Sequence, residues 1–379
     1  MASRSIEAGK GLYRRIDGLL AGLGTPHAPD YFPDALRLVY TVFEREFDLV
    51  GGELLLLGGD GPVLLERHGT LAANEAQRQA LVARTHGQVA FEEACGAFEV
   101  QHEGRTFLFL FLFGPGRDRD GAELFLATAS AILAVRLGEH RLGATLREAA
   151  EIQAGLLPGR LPEFPGFELA AASRPAEEVG GDWYDFLPLG EGRLGLALGD
   201  ASGHGLPAAL MARDVVVGLR MGIEREFTAE HALTKLNRVL HRSTLSSRFT
   251  SLVYGELEDN GSFFYYNAGH DAPLLVHGGR CTSLRTGGTV LGPLSEARFR
   301  RNFAHLDHGA LLVLHTDGLT ERRSASGELF GLERLKALLL ALAEEPVTRV
   351  IERVLSELDT FGAGVRERDD ETLVVVRRL

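Results

Sequence analysis

Gly180-Gly181-Asp182-Trp183-Tyr184-Asp185-Phe186 and, soon after it, Gly199-Asp200-Ala201-Ser202-Gly203-His204-Gly205 are two versions of one phrase. Each sets an aspartate among glycines, where a chain can turn sharply and approach a ligand closely. Between them, Arg193-Leu194-Gly195-Leu196-Ala197-Leu198 is an apolar run of strand length that delivers Asp200 at its end. A single Gly-Asp pair is ordinary turn chemistry, but here the theme returns twice. His315-Thr316-Asp317-Gly318 follows the apolar run Leu311 to Leu314, and Asp369-Asp370-Glu371-Thr372 precedes Leu373 to Val376. Four strand ends thus each offer a carboxylate: Asp182, Asp200, Asp317, and Asp369 or its neighbour Asp370. Brought together, they would repel one another unless cations neutralised them. An oxygen-only set with no histidine or cysteine cluster points to Mg²⁺ or Mn²⁺ rather than zinc.

Working outward, residues 167–172 read as the strand that opens a domain after Pro165. Residues 206–227, 229–244, 331–342 and 347–358 read as helices. Strands are predicted at 249–257 and 262–267 around the Asp259-Asn260-Gly261 turn, at 273–276, at 310–315 and at 372–376. Strands at both ends with helices inserted predict an antiparallel sandwich flanked by helices, an α+β fold, over 161–379. Upstream, residues 31–138 alternate helix, hairpin, helix, hairpin, helix. The hairpins turn at Gly58-Gly59-Asp60-Gly61 and Glu103-Gly104. The seven-residue run from Phe107 to Phe113 is too short for a membrane helix and reads as a central strand buried on both faces. Residues 1–30 form a leader, partly helical over 13–23. A helical pattern runs from 121 to 157, where Pro158 stops it. Leu142, Thr145, Ala149, Ile152 and Leu156 fall at alternating three- and four-residue steps, the spacing of a coiled-coil seam. Residues 139–160 are therefore expected to act as a linker helix that pairs two chains; a packed surface helix is the alternative.

The 379 residues suit two domains, and 45% hydrophobic with 24% charged content is that of a globular protein. The net charge of −12 is shared by both halves, and no basic stripe offers itself to nucleic acid or anionic lipid. Cys95 and Cys281 lack metal-ligand spacing and read as free thiols of a reducing compartment. Asp17 interrupts the apolar stretch near the N-terminus, so no signal peptide is expected and the protein is read as cytoplasmic, without a membrane partner.

The acidic phrases also carry a resemblance. Pro175-Ala176 with Val179 to Phe186, then Gly199 to Gly205, Asn267-Ala268-Gly269-His270, His315 to Gly318 and Asp369 to Thr372 resemble, in order, the signatures of PPM-type serine/threonine phosphatases of the bacterial SpoIIE/RsbU-like branch. The likeness covers roughly residues 145 to 379, including Ile152-Gln153 and Leu156-Leu157-Pro158. It implies two Mn²⁺ or Mg²⁺ ions held by Asp182, Asp200, the carbonyl of Ala201, Asp317 and Asp369, with Asp370 behind them or substituting. It also implies a water activated by both metals, no phosphoenzyme, and a phosphorylated anti-sigma-factor antagonist as substrate. His204, Asn267 and Arg174 are the candidates for contacting it. Eukaryotic members place a histidine where Ser202 stands and an arginine closer to the first aspartate than Arg174. The layout of 31–138 resembles the GAF family; a PAS-like module or a purely dimerising domain fits the same pattern. Two other functions compete. One is a catalytically silent binding module that kept the phosphatase fold, against which the intact carboxylates argue. The other is a nucleotide cyclase, suggested by Gly180-Gly181-Asp182 alone. Trp183 and Tyr184 are read as core.

Overall fold

The computed structural model describes residues 14–18, 20, 21, 23, 26, 28–59, 61–116, 119–223, 228–243, 248–285 and 287–379. Tyr13, Asp60, Thr244 and residues 224–227, which the sequence assigns to a helix start, a turn and two helix ends, lie outside the described residues. The chain divides into two compact units, Met1–Thr145 and Leu146–Leu379.

In the first unit, α1 (Tyr31–Phe43) leads into β1 (Leu49–Gly58) and β2 (Gly61–Gly69). Then come α2 (Glu75–Thr85), β3 (Ala90–Glu92), β4 (Cys95–His102) and β5 (Arg105–Phe113). The strands form one antiparallel sheet in the order β2-β1-β5-β4-β3, which makes the Phe-Leu run its centre. Successive side chains of a strand point to opposite faces. Phe107, Phe109, Phe111 and Phe113 accordingly join Phe43 and Phe125 in one core, while Leu108, Leu110 and Leu112 meet Leu81 of α2 in another. A reciprocal cap opens α2: the Asn74 side chain accepts from the Gln77 backbone, and the Asn74 N–H donates to Gln77 Oε1. The 36-residue α3 (Arg119–Ala154) is long and apolar enough to cross a membrane, and its apolar first half lies in the unit's core, from Ala122 to Leu137. It ends at Ala154, three residues short of the expected Leu157, so Leu156 leaves the proposed seam. Leu142 and Ile152 remain exposed, at 61% and 62%.

The second unit holds two five-stranded antiparallel sheets. One takes β7 (Trp183–Gly190), β8 (Arg193–Ala201), β9 (Thr250–Glu258), β10 (Ser262–Ala268) and β13 (Asn302–His305), in the order β13-β10-β9-β8-β7. The other takes β6 (Phe167–Arg174), β11 (Leu274–His277), β12 (Arg280–Ser283), β14 (Leu311–His315) and β15 (Glu371–Arg378), in the order β12-β11-β14-β15-β6. Their facing sides share a core in which Leu196, Leu198 and Val253 meet Leu312, Leu314, Val374 and Val376. Outside the first sheet pack α4 (Leu206–Gly222) and α5 (Ala229–Ser243), through Val215, Leu219, Leu233 and Leu236. Outside the second pack α7 (Leu332–Ala341) and α8 (Val347–Phe361), which cover Leu311, Val313, Leu373 and Val375. Strands covered on both faces need apolar residues at every position, which is why Leu311 to Leu314 and Leu373 to Val376 show no alternation. One short helix, α6 (Asp317–Glu321), follows β14 directly.

Candidate active site

The sandwich brings the four acidic phrases to one end. Ala201 donates its N–H to Gly181 O at 3.2 Å, tying the first phrase to the end of β8. Thr316, just past β14, donates its N–H to Thr372 O at 3.0 Å, tying the third phrase to the start of β15. Glycine is required where the loops meet. A Cβ on Gly181 would lie 2.5 Å from Ala201 O and 2.9 Å from Asp200 Oδ1, and one on Gly180 would fall onto the Asp370 carboxylate.

Asp182 is 6% exposed, and Thr316 Oγ1 donates to its Oδ2 at 2.7 Å. The same hydroxyl accepts from Thr372 N–H at 3.0 Å, so one threonine links the start of β15 to the first aspartate. The Asp370 carboxylate accepts backbone N–H groups from Ala176 (2.8 Å), Gly181 (2.6 Å) and Asp182 (3.2 Å). It shapes the loop that carries Asp182. Burial raises the Asp182 carboxyl well above the usual range, with Asp200 and Asp370 adding repulsion. Asp200 is pushed up to about 7 by burial and then by Asp317, Asp369 and Asp370. Burial, Asp369, Asp271 and Glu321 push Asp317 up to about 6. Asp369, exposed at the rim, is raised by the protein around it and by Asp370. Among the described residues, no three histidine, cysteine or acidic side chains converge tightly enough to hold an ion as they stand. The donor set nonetheless fits hard cations: the carboxylates are oxygen donors whose proximity disfavours their own ionisation, the condition that divalent charge relieves.

The remaining candidates are placed differently. His204 is exposed, with Nδ1 3.1 Å from Glu177 Oε1. Asn267 is buried and closes its own turn, its Nδ2 donating to His270 O and its Oδ1 accepting from His270 N–H. The structure does not bring Arg174 to the four aspartates; its Nη1 donates to both carboxylate oxygens of Asp359 on α8, each at 3.1 Å. Half-buried His270 lies 2.6 Å from Ser251 Oγ and 3.1 Å from His315 O, and desolvation lowers its pKa to about 3, so it is a neutral structural group. Trp183 and Tyr184 are buried on opposite faces of β7, as core.

Two supports have no role assigned from the sequence, although Gln153 falls within the stretch that carries the family likeness. Gln153 near the end of α3 clasps Gly180, donating Nε2–H to its carbonyl at 2.6 Å and accepting its N–H at 3.1 Å. Arg220 of α4 binds both Asp185 carboxylate oxygens (2.7 and 3.2 Å) and Leu156 O (2.7 Å). Neither pairing has a periodic signature, because each partner lies far away in sequence. A glutamine on an exposed helix face looks like surface until its partner is known.

The profile of the family described as Stage II sporulation protein E (SpoIIE) matches residues 190–379, half of the chain. The chain belongs to the SpoIIE family. The match takes in Asp200, Asn267, Asp317 and Asp369, and begins after Asp182. Phosphoserine phosphatase RsbU of Bacillus subtilis is 28% identical over 246 residues, 63% of this chain and 72% of RsbU. A structure of the RsbU and RsbW domains of a Mycobacterium tuberculosis protein is 32% identical with a TM-score of 0.51, covering 57% of this chain and 61% of that one. The PP2C domain of SiaA from Pseudomonas aeruginosa shares the fold at 22% identity, with a TM-score of 0.56 over 63% of this chain and 98% of that one. As a SpoIIE-family member, the protein is a serine/threonine protein phosphatase.

Proposed function

We propose that the phosphatase is metal-dependent and acts on phosphoserine or phosphothreonine of a regulatory protein. The observation that carries this is the convergence of Asp182, Asp200, Asp317 and Asp369 at the ends of strands from both sheets. With Ala201 O, these residues would hold two Mg²⁺ or Mn²⁺ ions, which supply a water acidic enough to ionise near neutral pH and positive charge for the phosphoryl oxygens. The chain's own groups set the stage. Thr316 fixes the orientation of Asp182, Asp370 fixes the backbone before it, and Gly181 lets the two loops close. The Thr316 hydroxyl, which lies among the carboxylates, is already held by Asp182 and by Thr372 N–H, which suits direct attack by water. His204 stays as a candidate substrate contact, whereas the burial of Asn267 in its own turn and the pairing of Arg174 with Asp359 speak against those two.

The substrate we infer is a phosphorylated anti-sigma-factor antagonist, supported by the likeness to RsbU and to a protein that joins RsbU and RsbW domains. Gln153 and Arg220 support control through α3, since one holds the loop before Asp182 and the other holds Leu156 just past the helix. The first unit would supply that control as a GAF-like domain in a cytoplasmic homodimer. Phosphate release from a phosphoserine peptide tests the central reading. It should require added Mn²⁺ or Mg²⁺ and stop with EDTA; full activity in a metal-stripped, chelated sample would overturn it.

A further inference from the structure

A cavity of about 150 Å³ opens beside Asp369, lined by Arg322, Arg323, Arg366 and Arg368 and by the acids Glu321, Asp369 and Glu371. That space equals a few water molecules, enough for a carboxylate or similar oxyanion. Arg322 is only 7% exposed. Its Nη2 donates to Val365 O at 3.3 Å and Glu367 Oε1 at 3.0 Å, while Nε and Nη1 find no acceptor. The nearest charge to Nη1 is Glu371 Oε1, 3.7 Å away and itself without a hydrogen-bond partner. A buried guanidinium with unused donors is costly unless an anion completes it. Arg323 donates to Gly327 O at 3.3 Å. Arg366 and Arg368 are exposed and make no hydrogen bond or ion pair among the described residues. Glu367 is already engaged by Arg322, and Asp369 belongs to the carboxylate cluster. Four arginines against three acids leave the cavity a surplus of positive charge, carried by the exposed Arg366 and Arg368, on a protein whose net charge is −12.

We propose that this cavity is a specificity subsite that receives an aspartate or glutamate side chain of the phosphoprotein, close in sequence to the phosphorylated residue. The inference rests on the reading of the carboxylate cluster as the phosphatase centre. Because the two sites share Asp369, an extended peptide with its phosphate at the cluster reaches the cavity within about three residues. Guanidinium groups suit this role, since their planar forks bind carboxylates through paired charge-assisted hydrogen bonds.

The test uses the full chain with Mn²⁺ and three substrates: para-nitrophenyl phosphate, a phosphoserine peptide with neutral flanks, and a set with one glutamate moved through the flanking positions. The wild type should favour one acidic peptide over the neutral one in kcat/KM by on the order of tenfold, the worth of one charge-assisted hydrogen bond. Arg366→Ala with Arg368→Ala should erase that preference, mainly through KM. Arg366→Glu with Arg368→Glu should reverse it toward a lysine-flanked peptide. Both pairs are exposed, so folding is not at stake, and circular dichroism checks it. A wild type without preference, or variants that keep it, would overturn the subsite. So would an equal loss on all three substrates, which would assign the arginines to the phosphoryl group. No hydrolysis of any substrate would sink the metal-dependent mechanism, and this subsite with it.

Discussion

At the scale of single residues, the centre is a balance between carboxylate repulsion and the few bonds that hold each group in place. Asp200 and Asp317 ionise reluctantly because they are half-buried beside other acids, so each costs stability wherever it is charged without a cation. Asp200→Asn and Asp317→Asn should each abolish turnover and raise the melting temperature of the chelated protein near neutral pH. Scanning calorimetry in EDTA together with a phosphate-release assay checks both halves. Near wild-type turnover at saturating metal would show that the site is misassigned. The aspartates were legible because glycine-flanked acids at the ends of apolar runs are rare in combination. The role of Asp370 was not, because Asp369-Asp370 offers two equivalent carboxylates. Only the fold decides that one accepts three backbone N–H groups and the other lies at the rim. Arg366-Glu367-Arg368-Asp369 hid for a related reason: alternating charge in a loop reads as a solvated surface.

At the scale of elements, burial decided what could be read. The doubly covered strands β5, β8, β14 and β15 announced themselves as continuous apolar runs. The short strands β12 and β13, at the outer edges of their sheets, did not, since Arg280–Ser283 and Asn302–His305 lack apolar pattern. The helix α6 was missed because its five residues are too few to show a period and begin inside the acidic phrase, at Asp317 and Gly318. The end of α3 matters more for chemistry. Two hydrogen bonds from Gln153 hold the Gly180 peptide unit two residues before Asp182. Gln153→Ala removes both, a loss of roughly 1–3 kcal/mol if each contributes what such bonds usually do. The expected outcome is a several-fold higher Mn²⁺ concentration for half-activation, because the loop must be ordered when the ion binds. Gln153→Glu, which keeps the acceptor for Gly180 N–H and sets a carboxylate against Gly180 O, should not rescue it. A metal titration matching wild type in both variants would reduce Gln153 to an ordinary surface contact.

At the scale of the whole molecule, α3 is the element that both units contain, and its exposed side chains are what a partner would cover. Leu142 and Ile152 leave more than half their surface in water, with Thr145 and Ala149 between them at heptad steps. We expect two chains to pair along this seam, giving light scattering near twice the 41.1 kDa of one chain. If the pairing also sets the state of the phosphatase unit, helical phase should matter more than helix length. Inserting four residues near Gly143 breaks the heptad phase, whereas inserting seven restores it. Both insertions lie upstream of Gln153, so a changed activity would come from the phase of the helix and not from a lost clasp on Gly180. The four-residue insertion should therefore shift basal turnover or its regulation well beyond the seven-residue one, although it adds less chain. Equal activities in the two proteins, or a parent that stays monomeric at micromolar concentration, would leave α3 as a helix whose exposed leucine and isoleucine serve no partner.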